Sequence, residues 1–242
     1  MRRVRLGWVT MVILVQPVLV WFVWYRIAGY APWTVTAAQL LIAFTGLALI
    51  HAARLDWAEL GFGLRDLLAG LVIGVLAYSL TILAGFLLGF TDGGTFRSYT
   101  AGGLLSGWLL TGVGEELLFA GALFNIAAAS LRRVRGGRWK SVVFAAVVFA
   151  LWHLPGYIAV AASRGTFSMG SILGRLALNL VSWLIFGTLY VVSGSFWLVA
   201  VAHASTDYPL TGLITEVPAL GLFFMVVLVL GGWCYRRLYP LM

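Results

Sequence analysis

The sequence predicts an all-helical membrane protein with about eight transmembrane helices around a membrane-embedded polar cavity. Its 242 residues are 62% hydrophobic and only 10% charged, and the mean hydropathy is +1.00. A soluble domain usually has about 25% charged residues, so this composition suits a lipid-facing surface and not a water-facing one. In addition, the hydrophobic residues fall into long segments joined by short loops. A helix needs about 20 apolar residues to span a bilayer.

Eight apolar segments follow one another along the chain. The seventh is short for a full span, so we expect it to tilt or to begin earlier. The loops are too short to hold a soluble domain, and we expect residues 1–242 to form a single transmembrane domain. The segments are Leu6–Ile27, Val35–His51, Leu67–Phe90, Leu104–Ser130, Ser141–Ala162, Ser171–Val192, Phe196–Pro209 and Leu213–Tyr235.

The basic residues indicate how the segments are oriented, because cytoplasmic loops carry an excess of Lys and Arg. We expect an integral membrane protein of a prokaryotic plasma membrane with both termini in the cytoplasm. The cations lie between apolar segments and not along one face, so the net charge of +8 indicates contact with the bilayer and not with nucleic acid. The inner cations would be Arg2, Arg3, Arg5, Arg54, Arg65, Arg132, Arg133, Arg135, Arg138, Lys140, Arg236 and Arg237, and the outer ones Arg26, Arg97, Arg164 and Arg175.

Ionisable groups inside the apolar segments are the best guide to function. A charged group that faces lipid is costly, and such groups are therefore usually turned inward, paired and functional. The groups are Glu115 and Glu116 in the fourth segment, His153 in the fifth, Arg175 in the sixth, and His203 with Asp207 in the seventh.

Glu115 and Glu116 are adjacent, so on a helix they point about 100° apart and should have separate roles. Two close carboxylates in a low dielectric resist being ionised together, which suits one of them to act as a general base. Gly112 and Gly114 allow a neighbouring helix or a substrate backbone to come close. The alternative is a structural pair that is neutralised by Arg175 or by hydrogen bonds.

The two histidines have different surroundings. His153 is followed by Pro155, which should kink or end its helix and free backbone groups beside the ring. Irregular backbone at membrane depth is tolerated where it lines a water-filled cavity. His203 and Asp207 lie four residues apart and share a helix face. Asp207 is expected to fix the tautomer of the His203 ring, and it could also pair with Arg175.

These side chains fit two kinds of hydrolytic site. In the first, Glu115 takes a proton from water with the help of His153. His203 and Asp207 then hold the substrate carbonyl and stabilise the oxyanion. In the second, Glu116, His153 and His203 bind one divalent metal ion, most naturally zinc, with water in the fourth position. The residues alone leave both possibilities open.

Three motifs lie in order on separate apolar segments: Glu115-Glu116-Leu117-Leu118-Phe119, Phe149-x-x-x-His153 and His203-x-x-x-Asp207. Together they resemble the motifs of the CAAX protease and bacteriocin-processing (CPBP) family of intramembrane proteases, also called the Abi family. Two further stretches are similar to that family, so the resemblance covers a core of about residues 60–210. They are Leu60-Gly61-Phe62-Gly63-Leu64 and Ser193-Gly194-Ser195-Phe196-Trp197.

The resemblance implies an eight-helix fold that hydrolyses a peptide bond in a membrane-associated or exported protein or peptide. It implies that Glu115 is the base and that the histidines surround the water and the oxyanion. Both a metalloprotease mechanism and a metal-free glutamate mechanism are held for this family. We favour the metal-free one, with no cofactor, and keep one zinc ion as the alternative.

Two positions depart from the family pattern. The first motif usually carries an arginine four residues after the second glutamate, where this chain has Ala120. Glu116 therefore needs another partner, such as Arg175, or must be protonated. The third motif usually ends in asparagine, and an aspartate such as Asp207 donates no hydrogen bond to an oxyanion unless it is protonated. Its contact with His203 is then its expected role, and a prenylated CAAX substrate is less expected.

Three functions compete on this evidence. We favour an intramembrane endopeptidase over a non-catalytic bacteriocin-immunity or scaffold protein of the same fold. A proton-coupled transporter is the third, although the sequence has no inverted repeat and no paired broken helices. In an enzyme, Glu115, His153 and His203 should converge within about one water of each other. In a carrier they should follow a path across the bilayer.

Overall fold

A computed structural model of the chain describes residues 5–24, 32–90 and 99–239, and these residues form helices without a β-strand. Six helices are long and apolar enough to cross a membrane, and Leu6–Trp21 is a shorter apolar helix. The predicted class, an all-helical polytopic membrane protein, is therefore confirmed. The helices are α1 Leu6–Val18, with a π-helical extension Leu19–Trp24, α2 Pro32–Ala53, α3 Leu64–Leu87, α4 Ala101–Leu131, α5 Gly137–Ser163, α6 Met169–Ser193, α7 Phe196–Asp207, α8 Leu213–Glu216 and α9 Pro218–Leu238.

The eight predicted segments each correspond to a helix, with one difference at the end of the chain. The segment Leu213–Tyr235 is divided into α8 and α9 at Val217, whose backbone is extended (φ −116°, ψ 94°). The cause is Pro218, which disfavours helical backbone in the preceding residue and starts the next helix at its first position. The predicted end of the first segment at Ile27, and Arg2, Arg3, Arg26 and Arg97, lie outside the described residues. The cytoplasmic location of the termini stays a prediction.

The described residues form two compact units. The first unit contains Met1–Leu55 and Leu117–Gly187, and the second contains Asp56–Glu116 and Thr188–Met242. The boundary falls inside α4, directly after Glu116. That residues 1–242 form a single transmembrane domain stays a prediction.

In the first unit, α2 packs against the second half of α4. A Cβ atom at Gly46 would lie 2.7 Å from the backbone carbon of Leu117, so the two helix backbones are in direct contact. The stretch Leu117–Phe124 is buried throughout. On α1, Gln16 donates a hydrogen bond to the Thr45 hydroxyl of α2 at 3.0 Å. Small residues and interhelical hydrogen bonds are the usual means by which helices associate in lipid.

In the second unit, α7 is the central helix, and glycines on α3 and α4 let it approach closely. A Cβ atom at Gly70 of α3 would lie 3.2 Å from the backbone nitrogen of Leu198, and one at Gly112 of α4 would lie 2.7 Å from Cβ of Ala204. Gly112 therefore has the role predicted from the sequence, namely the close approach of a neighbouring helix.

The helix α4 changes its hydrogen-bonding pattern along its length. It is π-helical over Leu105–Val113, α-helical over Gly114–Glu116 and π-helical again over Leu117–Phe124. Turns with i→i+5 hydrogen bonds are rare in proteins and occur often at functional sites. The glutamate pair thus lies on a single α-helical turn between two wider stretches.

The start of α7 is fixed by contacts between the two Gly-containing stretches noted in the sequence. Trp197 donates its indole hydrogen to the carbonyl oxygen of Phe62 at 3.2 Å, and the Tyr190 hydroxyl donates to the carbonyl of Leu60 at 3.1 Å. The backbones of Gly61 and Gly194 are in van der Waals contact, and both glycines have a left-handed φ, of 69° and 68°. This contact leaves no room for a side chain at Gly61.

We predict that Gly61→Ala destabilises the protein far more than Gly89→Ala. Both glycines have a left-handed φ, but a Cβ at Gly89 meets no atom within 4 Å, whereas one at Gly61 overlaps the carbonyl of Gly194. Gly89→Ala should cost about 1–2 kcal/mol of backbone strain. Gly61→Ala should cost about 3 kcal/mol or more, because overpacking adds to the strain. Thermal unfolding of both variants in detergent measures the difference, and equal melting temperatures would contradict the packing described above.

Candidate active site

The glutamate pair of α4 lies against a histidine of α7 within the second unit. Oε1 of Glu116 is 2.7 Å from Nδ1 of His203, and Oε2 of Glu115 is 3.8 Å from Nε2 of the same ring. The relative exposures of Glu115, Glu116 and His203 are 5%, 0% and 2%. The two adjacent carboxylates thus meet opposite nitrogens of one buried imidazole, which agrees with the separate directions expected for helix neighbours.

Glu116 determines which nitrogen of His203 carries a hydrogen. A carboxylate only accepts hydrogen bonds, so Nδ1 donates to Oε1 of Glu116. The sequence predicts this orienting role for Asp207, which does contact the ring but at Nε2, whereas Glu116 bonds Nδ1. The same contact supplies the partner that Glu116 needs, because this chain has Ala120 where the family usually has an arginine.

Asp207 lies at the other nitrogen and is the exposed member of the group. Its Oδ2 is 3.4 Å from Nε2 of His203, and 44% of its side chain is accessible. Nδ1 already donates its hydrogen to Glu116, and the carboxylate of Asp207 can only accept. The contact between Nε2 and Asp207 is therefore favourable only when Nε2 also carries a proton. Buried carboxylates are strongly destabilised unless they are paired, and a charged imidazole compensates several of them at once.

The end of α7 is held by aromatic residues that the sequence analysis did not select. Trp108 donates its indole hydrogen to the carbonyl of Tyr208 at 3.1 Å, and the Tyr99 hydroxyl donates to the carbonyl of Pro209 at 3.0 Å. Gly107 leaves space for the Tyr208 ring, which occupies the position of a Cβ atom there. These contacts fix the backbone directly after Asp207. No pattern in the sequence pointed to them, because aromatic residues are common throughout the apolar segments.

His153 lies on α5 in the first unit, where its ring has well-defined neighbours. Nδ1 donates to the carbonyl of Phe149 at 2.9 Å, so in the neutral ring Nε2 carries the lone pair. The ring stacks on Tyr157 with a centroid distance of 6.0 Å. The helix continues past Pro155 to Ser163 and does not end there. The participation of His153 in the same site as the glutamates stays a prediction.

Tyr157 is a second residue that sequence reasoning missed. It receives a hydrogen bond of 2.8 Å from the Asn179 side chain, and the Arg175 guanidinium lies 5.5 Å from the centre of its ring. The spacing of four residues between His153 and Tyr157 could have revealed their contact, because residues four apart are neighbours on a helix. Arg175, suggested above as a partner of Glu116 or Asp207, thus has an aromatic neighbour.

The proposed zinc set of Glu116, His153 and His203 stays a prediction. Among residues 5–24, 32–90 and 99–239, no group of three or more His, Cys, Asp or Glu side chains is placed to hold a metal ion. In addition, Glu116 and His203 are joined by a direct hydrogen bond of 2.7 Å.

Comparison with known families agrees with the motifs. Residues 97–209, just under half of the chain, match the family described as Type II CAAX prenyl endopeptidase Rce1-like. This segment contains all three motifs, and the match confirms the resemblance to the CAAX protease family. No curated protein and no solved structure shows a significant match to the chain.

We predict that Glu116→Ala destabilises the protein by about 1–3 kcal/mol, the usual cost of leaving a buried donor without an acceptor. Glu116→Gln should cost less than half as much, because the amide oxygen still accepts from Nδ1 of His203. The exposed Glu59 provides a control, and Glu59→Ala should have little effect. Thermal unfolding in detergent compares the three variants. Equal losses for the two changes at Glu116 would show that the hydrogen bond with His203 contributes nothing.

Proposed function

We propose, from the match of residues 97–209 to the CAAX protease family, that this membrane protein is a metal-free intramembrane endopeptidase. It would hydrolyse a peptide bond in a membrane-associated or exported protein or peptide. The observation that carries the proposal is the contact of one buried imidazole, His203, with Glu116 on one side and Glu115 on the other. Such a set of proton donors and acceptors can activate water and stabilise an oxyanion.

Glu115 is the proposed general base. Its Oε2 lies 3.8 Å from Nε2 of His203, so a water molecule held by this carboxylate would lie beside the ring. A general base must lie within hydrogen-bond reach of the proton it takes. Glu115 would accept a proton from this water as its oxygen attacks the substrate carbonyl, and would then pass the proton to the leaving amine.

His203 is the proposed donor to the oxyanion. Glu116 holds the ring through Nδ1, so Nε2 points in a fixed direction. When Nε2 carries a proton, it can donate to the carbonyl oxygen as negative charge develops there. A donor that is oriented in advance is worth most in a buried site of low dielectric. Glu116 is therefore an orienting residue in this proposal and has no direct contact with substrate.

Asp207 is proposed to keep the proton on Nε2 of His203 while the site is empty of substrate. It is the exposed member of the group, so a peptide backbone can reach the site past it. A substrate carbonyl would take over the hydrogen that Nε2 otherwise shares with Asp207. This role needs no hydrogen on Asp207 itself, which removes the difficulty of an aspartate at a position where the family usually has asparagine.

The clustering of these groups supports a hydrolase over a proton carrier. Glu115, Glu116 and Asp207 all lie within 4 Å of one imidazole ring. A relay would instead distribute its titratable groups along a path across the membrane. A non-catalytic protein of the same fold is the outcome to be separated by experiment.

We predict that Glu115→Gln abolishes cleavage of the natural substrate. Loss of a general base typically lowers the rate by about 10²–10⁴-fold, while an amide of the same shape should preserve the fold. Cells that lack the gene would be complemented with wild type, Glu115→Gln or the exposed control Glu59→Gln. Their membrane and secreted proteins would then be compared by N- and C-terminal proteomics. Peptide termini that appear with wild type and Glu59→Gln, and vanish with Glu115→Gln, would identify the substrate.

The same experiment can refute the proposal. If all strains show identical termini while each protein is present in the membrane at the same level, the catalytic hypothesis fails. The chain would then be better described as a scaffold or immunity protein that retains the fold of the family.

We predict that Asp207→Asn moves the alkaline limb of the activity profile to lower pH. An anionic neighbour within about 4 Å stabilises the protonated imidazole, so removing its charge lets His203 lose the proton from Nε2 at lower pH. Activity would be measured from pH 5 to 10 on the identified substrate, with Glu59→Gln as control. An unchanged alkaline limb, or one moved to higher pH, would show that Asp207 does not hold this proton.

A further inference from the structure

The distribution of charge between the two units is strongly uneven. All eight Asp and Glu residues of the chain lie in the second unit, whereas twelve of its sixteen Lys and Arg residues lie in the first. A cation of the first unit therefore has no carboxylate within its own unit. Most of these cations lie in loops or at helix ends, where water or lipid head groups can compensate them.

Arg175 differs from these cations because it lies within the apolar helix α6. An ionisable group inside a membrane helix is expensive and is nearly always paired. The guanidinium lies 5.5 Å from the centre of the Tyr157 ring, and this cation–π contact compensates part of the cost. It leaves the five N–H donors of the guanidinium without a carboxylate in the first unit.

Tyr157 and Asn179 build the other side of this position. Asn179, one helical turn after Arg175, donates its side-chain hydrogen to the Tyr157 hydroxyl at 2.8 Å. This bond fixes the aromatic ring over which the guanidinium lies. Because the ring is held between two helices, it orients the guanidinium plane. We call Tyr157, Arg175 and Asn179 the Tyr157 cluster.

The Tyr157 cluster faces the surface of the first unit. Arg175 is exposed, and the nearby α6 residues Leu173 and Leu178 are exposed large apolar residues, as expected of a lipid-facing helix. Arg175 is six residues from the start of α6 at Met169, a distance of about 9 Å along the axis. A long arginine side chain can extend from this depth towards the lipid head groups.

We propose that the Tyr157 cluster binds the phosphate of an anionic phospholipid. The guanidinium matches a phosphodiester, because its parallel N–H groups donate to two phosphate oxygens at once. The ligand supplies the negative charge that the first unit lacks. Its acyl chains lie along the exposed Leu178, which is three residues from Arg175 on the same side of α6. The proposal is independent of catalysis by the second unit.

The test measures lipid binding by the full-length protein in detergent. Native mass spectrometry would record the binding of phosphatidylglycerol and phosphatidylcholine to wild type, Arg175→Gln and Arg164→Gln. Arg164 is an exposed cation at the C-terminal end of α5, outside the Tyr157 cluster. Wild type should prefer phosphatidylglycerol. Arg175→Gln should weaken this binding about tenfold, as for loss of one charge-assisted bidentate contact, and Arg164→Gln should change it less than twofold.

Two further variants separate a specific site from general attraction and from misfolding. Asn179→Ala keeps the charge but frees the Tyr157 ring, and it should weaken phosphatidylglycerol binding about threefold. Arg175→Lys keeps the charge without the planar fork, and it should retain the wild-type melting temperature while it binds more weakly. The proposal is overturned if Arg175→Gln binds phosphatidylglycerol as wild type does. It is also overturned if Arg164→Gln loses as much affinity as Arg175→Gln, since the attraction would then be diffuse.

Discussion

The position of one imidazole between two adjacent carboxylates is the constraint on which the second unit depends. His203 meets Glu116 at 2.7 Å and Glu115 at 3.8 Å, and all three side chains are buried. Because a buried carboxylate is tolerated only when it is paired, α7 cannot slide along α4 without exposing an uncompensated charge. This chain has Ala120 where the CAAX protease family usually has an arginine, and Glu116 is hydrogen-bonded to the histidine instead. The His203 ring thus pairs with the buried carboxylates and is also the proposed donor to the oxyanion.

This constraint explains why α7 is surrounded by glycines. In lipid no hydrophobic force drives one helix against another, and close packing with polar contacts takes its place. Gly70 of α3 and Gly112 of α4 let backbones approach where the carboxylates must reach the ring. At the start of α7, the contact between Gly61 and Gly194 fixes the position of the helix along its axis. At its end, Trp108 donates a hydrogen bond to the carbonyl of Tyr208. The precision of the site therefore comes from packing at both ends of a helix of only twelve residues.

The sequence predicted the class of fold, but not which atoms of Glu115, Glu116 and His203 are in contact. Hydropathy reports the length of a span directly, and ionisable groups in apolar segments are few enough to be noticed. The break at Val217 was missed because the hydropathy stays high across it, although Pro218 signals it locally. The rotation of α4 about its axis determines which glutamate contacts which nitrogen of His203. This rotation depends on turns with i→i+5 hydrogen bonds, which the spacing of the residues does not predict. The contact of Tyr157 with Asn179 joins separate helices, and side-chain pairing of that kind has no signature in a single sequence.

The wide turns on both sides of the glutamate pair also affect how related chains should be aligned. A π-helical turn closes a ring that contains one more residue than the ring of an α-helical turn. The loss of one residue within Leu105–Val113 can thus be absorbed by tightening a turn, while Glu115 and Glu116 keep their direction towards α7. Homologues can therefore differ in length inside this helix and still present the same two carboxylates to the same histidine. An alignment that forbids gaps within a transmembrane helix will then pair Glu115 with the wrong residue.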